Sequence, residues 1–161
     1  MRSKAIAAGV AVLVALGAAG AARADSGHGG QGHVQFSAGM PGDPKKPARL
    51  VEVTMREGDG TMEYVPNRIE VKRNEQIRFV LKNAGELAHE FVLASAADNA
   101  KHAALMQKFP DMEHDDPNSK TLPSKAGGEI VWRFTKTGEF EFACLIPGHR
   151  EAGMIGKIIV K

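Results

Sequence analysis

The chain has 161 residues, 43% of them hydrophobic, with 21 Lys+Arg against 19 Asp+Glu, six histidines, seven methionines and one cysteine. That length supports one domain with a tail rather than two full cores, and the apolar content excludes wholesale disorder. One cysteine excludes an internal disulfide framework, and a formal charge of only +2 gives no support for a nucleic-acid-binding surface.

Residues 1–24 read as a leader. Arg2 and Lys4 give a positive start, residues 5–22 carry no charge, and Ala22-Arg23-Ala24 puts small residues where a signal peptidase reads. The competing reading is an uncleaved membrane anchor, since the uncharged stretch approaches a spanning length. Its richness in Ala and Gly makes it weakly hydrophobic and favours cleavage after Ala24. The expectation is an exported protein, in a bacterial periplasm, with no stable membrane insertion once the leader is gone. Removing Arg2, Lys4 and Arg23 leaves 18 Lys+Arg against 19 Asp+Glu, a net charge of −1.

Residues 25–48 are rich in Gly and Pro, lack a hydrophobic period, and read as a flexible arm. From residue 49 the texture changes. Residues 49–56 alternate, with Val51, Val53 and Met55 on one face, and Glu57-Gly-Asp-Gly60 reads as a turn. Further strands are expected over 64–71, 76–81, 90–93, 129–134, 139–144 and 157–160, with Asn74 in a left-handed turn. About seven short strands separated by turns predict an antiparallel β-sandwich. Residues 95–108 are rich in helix formers, open on a Ser95/Asp98 capping box and stop at Pro110, so 95–125 reads as a helical insertion on a domain spanning 49–161.

The chemistry concentrates near the C-terminus. Cys144, His149 and Met154 follow C-x4-H-x4-M spacing on a loop between two predicted strands, with Pro147-Gly148 and Gly153 letting that loop fold back. An earlier histidine, His89, opens a strand that a sandwich would place beside the loop. Taken singly, a buried Cys is a small core residue as often as a ligand, and the histidine and methionine have equally plain structural readings. Together they form His2Cys with a weak axial Met, the ligand set of a blue-copper electron-transfer site. A soft thiolate suits both copper oxidation states, two imidazoles complete a near-trigonal plane, and a weakly filled fourth position keeps reorganisation small.

Residues 49–161 resemble a cupredoxin. The motifs are Pro66-x-x-Ile-x-Val71, Ile77-x-Phe79, Asn83, His89, Gly138-x-Phe-x-Phe-x-Cys144, His149, Met154 and Gly156-x-Ile-x-Val160. The set Asn83-Ala-Gly, His89-Glu-Phe91, Met112-x-His-Asp-Asp-Pro-Asn118 and Cys144-Leu-Ile-Pro-Gly-His149 is similar to periplasmic copper-tolerance cupredoxins of the CopI type. The resemblance implies an all-β Greek-key sandwich with a short helical insertion, holding type 1 copper on His89, Cys144, His149 and axial Met154. Many cupredoxins carry Gly in the turn where this chain has Asn74, and Asn after the first histidine where it has Glu90. Such neighbours tune a copper site, so colour and potential do not transfer from azurin or plastocyanin.

The spare ligands leave open a second copper site, with His28 and His33 in the arm as its contributors, beside the plain reading that Met106 packs in the core and the loop residues are solvated. His102 and Met106 share a helix face at i, i+4, and Met112 and His114 follow. The functional expectation is a non-enzymatic copper-binding protein for copper tolerance or handling. The alternative is a soluble carrier of electrons between periplasmic redox partner proteins. Multicopper oxidases and copper nitrite reductases need further His-rich sites, and this chain has no His-x-His pair.

Overall fold

Alternation of buried and exposed residues, the mark of a strand with one face on a core, recurs through the chain. A computed structural model describes residues 35–109 and 116–161. In chain order the elements are β1 (Met40–Pro41), β2 (Arg49–Gly58), β3 (Thr61–Val65), β4 (Arg68–Val71), β5 (Gln76–Asn83), β6 (His89–Ala94), α1 (Ala96–Met106), β7 (Ser119–Leu122), β8 (Gly127–Arg133), β9 (Gly138–Ala143) and β10 (Ile155–Val160). They form two five-stranded sheets, ordered β1-β8-β5-β2-β3 and β4-β10-β9-β6-β7. This is the expected cupredoxin β-sandwich with one short helix.

Three details depart from the sequence reading. The run 64–71 is two strands in different sheets, because Pro66 has no N–H to continue the ladder and the chain crosses over there. That crossover returns β5 parallel to β2, and β10 likewise runs parallel to β4, so the sheets are mixed rather than antiparallel. The stretch 95–125 is also more than a helical insertion, since β7 within it pairs with β6, His89 opposite Leu122. Its polar sequence buries only Leu122, which leaves little strand signature.

Between the sheets lie Trp132, Tyr64, Phe79, Phe91, Phe134 and Phe142, all fully buried. Phe91 and Phe142 stack at 5.0 Å between ring centroids, and Tyr64 meets Phe142 edge-on at the same distance. Gly156 is required by this packing, because a Cβ there would lie 2.1 Å from the Phe142 ring. Asn74 takes the expected left-handed conformation, with φ of 68°.

The expected arm over 25–48 lies partly outside the described residues. Its described part, 35–48, is packed on the sandwich rather than free. Ala38 is fully buried, its carbonyl accepts the Trp132 indole N–H at 3.2 Å, and Phe36 packs edge-on against the same indole. Ser37 Oγ accepts the amide of Ser95, the N-cap of α1. The expected cap itself is present, with Asp98 N–H donating to Ser95 Oγ at 3.1 Å.

Candidate metal centre

At one end of the sandwich, β6 of one sheet begins where β2 of the other ends, and the loop between β9 and β10 folds over both. That loop is tied across its base: Cys144 N–H donates to the Met154 carbonyl at 3.2 Å, and Met154 N–H donates to the His149 carbonyl at 3.1 Å. His149 N–H donates to the Ile146 carbonyl at 3.0 Å, so the Pro147-Gly148 turn is closed as the sequence suggested. Met62 N–H, on β3, donates to the Ala152 carbonyl at 3.0 Å and anchors the loop to the opposite sheet.

These ties bring three sequence-predicted residues together. His89 Nδ1 lies 3.2 Å from His149 Nδ1, which lies 3.3 Å from Cys144 Sγ. Among the described residues, this trio is the group of His, Cys and acidic side chains whose ligand atoms fall within 4.8 Å of one another. His89 and Cys144 are fully buried and His149 half-buried, so the cluster is covered by protein except at one imidazole. Met154 is also fully buried, at the loop's closing bond. Two imidazoles and one soft sulfur suit copper, and a deprotonated thiol would be needed to bind it. Burial pushes the Cys144 thiol up to about 12, against the lowering effect of the Glu90 and Ile146 amides. Burial and neighbouring His89 hold His149 below the usual imidazole range, which leaves its ring neutral and ready to ligate.

The surroundings hold residues that the sequence reading missed or undervalued. Glu57, read as part of a turn, places Oε1 2.6 Å from His89 Nε2 and accepts the amides of Glu86 and Leu87 at 2.9 and 3.0 Å. Partial burial opposes its ionisation, but those two amides and His89 outweigh it, and the carboxyl sits below its usual range. The signal was available: Val53 and Met55 face the core, and Glu57 is the next residue on that face. Asn83, noted only as a motif residue, is fully buried and donates to the carbonyls of Leu87, Leu122 and Pro123 while accepting the Gly85 amide. It thereby fixes the loop that leads into His89. Glu90, where many cupredoxins carry Asn, contributes through its backbone, its N–H donating to Cys144 Sγ at 3.3 Å.

The other expected ligands divide between described and undescribed residues. His28, His33, Met112 and His114 lie outside the described residues. Met106 packs with Val92, Ala143 and Leu145 in a small second core, while His102 lines a cavity with Gln35, Asp98 and Asn118. Among the described residues, no helix is long and apolar enough to cross a membrane.

Comparison with known proteins agrees with this geometry. Residues 51–161 match the family described as copper binding proteins, plastocyanin/azurin family. A copper-resistant cuproprotein CopI of Rubrivivax gelatinosus is 48% identical over 148 residues, covering 87% of this chain and 88% of that protein. The protein of that name from Pseudomonas aeruginosa is 36% identical over 152 residues, covering 76% of this chain and 82% of its own. Auracyanin B has the same fold, with a TM-score of 0.61 at 23% identity, over 77% of this chain and 96% of its own. A chain with this sandwich, this His-Cys-His cluster and these relatives belongs to the copper-binding plastocyanin/azurin family.

Proposed function

We propose that the protein is a periplasmic, non-enzymatic cupredoxin that serves copper tolerance through a redox-active site of His89, Cys144 and His149, with Met154 as the weak axial ligand. The observation that carries this reading is the convergence of His89, Cys144 and His149, whose ligand atoms lie within 4.8 Å of one another, with His149 Nδ1 3.2 Å from His89 Nδ1 and 3.3 Å from Cys144 Sγ. Copper bound there would supply a one-electron couple. The chain's own contribution is to hold two imidazoles and one sulfur in a fixed, largely buried arrangement, with the Met154 backbone closing the loop. Copper tolerance is supported by the relatives whose names state copper resistance, and export by the leader pattern of residues 1–24.

Addition of Cu(II) to the mature chain is expected to produce an intense visible thiolate-to-copper band. Cys144→Ser should abolish it, and persistence of the band in that variant rejects the site. Met154→Leu should keep the band and raise the reduction potential, since an axial thioether tunes it; an unchanged potential removes Met154 from the ligand set. A second copper on His28 and His33 is part of this reading and is dropped if titration of the mature chain stops at one equivalent.

The carrier reading has one observation in its favour. Leu87, two residues before His89, is 47% exposed, and Ile146 and Ala152 near His149 are partly exposed, which provides apolar surface for a redox partner protein. Leu145, next to Ile146 in the chain, is buried and adds nothing to that surface. Gene deletion separates the roles: loss of growth under copper stress supports tolerance, whereas loss of respiratory activity alone supports the carrier.

A further inference from the structure

A carboxylate on the core-facing side of a strand is costly unless it is paired and hydrogen-bonded. Glu57 meets that condition through one imidazole and two amides that belong to a single segment, residues 86–89. Its side chain is 21% exposed and its partner His89 is fully buried. Gly85 completes the cradle. A Cβ on Gly85 would lie 2.2 Å from Glu57 Oε1 and 2.4 Å from Oε2, so the loop backbone passes directly against the carboxylate. The Ala84 amide extends the β2–β5 ladder by donating to the Met55 carbonyl at 2.9 Å, which sets the loop over Glu57.

We propose that Glu57 is a positioning residue for the copper centre: it fixes the His89 ring so that Nδ1 faces Cys144 and His149, and its negative charge favours Cu(II) over Cu(I). This rests on the reading of His89 as a copper ligand. The Nε2 edge of His89 is committed to Glu57, and Nδ1 is the edge turned towards the other two ligands. An anionic acceptor makes the imidazole a stronger donor than a neutral carbonyl would. The effect reaches the metal from the opposite sheet, since Glu57 is on β2 and His89 on β6.

The test uses the mature chain loaded with copper, comparing wild type with Glu57→Gln, Glu57→Asp and Gly85→Ala. Glu57→Gln is expected to keep the visible band but lose about tenfold to hundredfold in Cu(II) affinity, with Cu(I) affinity less affected. Each tenfold difference between the two states corresponds to about 59 mV of increased potential. Glu57→Asp keeps the charge and should return the potential towards wild type. Gly85→Ala leaves the carboxylate in place chemically but forces it to move, so a changed potential and EPR hyperfine splitting are expected there too. The proposal is overturned if Glu57→Gln matches wild type in potential and Cu(II) affinity, or if Glu57→Asp shifts as far as Glu57→Gln. Should Glu57→Gln fail to fold, an unchanged potential in Gly85→Ala overturns it. Absence of the thiolate band in wild type would instead reject the ligand reading itself.

Discussion

The amide of Glu90 donates to Cys144 Sγ at 3.3 Å, and the carbonyl of the same residue accepts the hydroxyl of the buried Tyr64. One backbone segment therefore links the sulfur to a tyrosine on the opposite sheet. Burial above all, with Cys144, Glu90 and Glu141 nearby, raises the Tyr64 phenol well above its usual value, so it acts only as a neutral donor.

Tyr64→Phe removes that donor while keeping the ring in its aromatic contacts. It leaves the Glu90 carbonyl without the Tyr64 hydroxyl, a loss of about 1–3 kcal/mol. Chemical denaturation of the metal-free protein should show this as a lower midpoint with an unchanged slope. A midpoint equal to wild type would mean that the hydroxyl bond contributes nothing to stability.

The Cys144 thiol should be inert in the folded, metal-free protein. It is fully buried and shifted to about 12, so its thiolate fraction at neutral pH is roughly a thousandfold below that of an ordinary cysteine. Alkylation by iodoacetamide is expected to be slow until denaturant is added, and to speed up as pH rises. If Cys144 is a copper ligand, loading expels this proton and should acidify an unbuffered solution. Rapid alkylation of the native thiol would contradict the burial.

Away from the metal, Glu75 provides a pH-dependent contribution. The Arg49 side chain, whose Nε lies 2.6 Å from Oε1, holds the carboxyl below its usual range; burial opposes this and the Lys72 amide assists. Because the folded value is the lower one, the stabilisation is present above the ordinary carboxylate range and lost as pH falls through the folded value. Glu75→Gln should therefore cost about 1 kcal/mol or less at neutral pH, and the difference should shrink in acid. A difference that grew on acidification would reverse the sign argued here.

The loop between β9 and β10 was readable because its chemistry is local. Cys144, His149 and Met154 fall within one turn-rich stretch, and the alternation in 139–144 assigns Cys144 to a strand end. His89 needed the sandwich to bring it near, and the family motifs placed it. Glu57 was hidden because Gly58 and Gly60 marked a turn, whereas the strand runs on through Glu57 and Gly58 and keeps its inward face. The polar strand β7 was hidden for the opposite reason, since pairing with β6 rather than hydrophobic burial makes it a strand. No single-strand pattern encodes which sheet a strand joins, and the split at Pro66 shows the consequence.

The packed segment 35–48 moves the edge of the cooperative unit upstream. The family match starts at residue 51, yet a chain cut there would lose Ala38 from over Trp132 and Ser37 from the N-cap of α1. Trimming to the recognisable family boundary would uncover the largest core side chain and detach one end of the helix. Residues 35–48 thus belong to the fold as a clasp across it, and the span of sequence needed for a stable protein is longer than the span that identifies it.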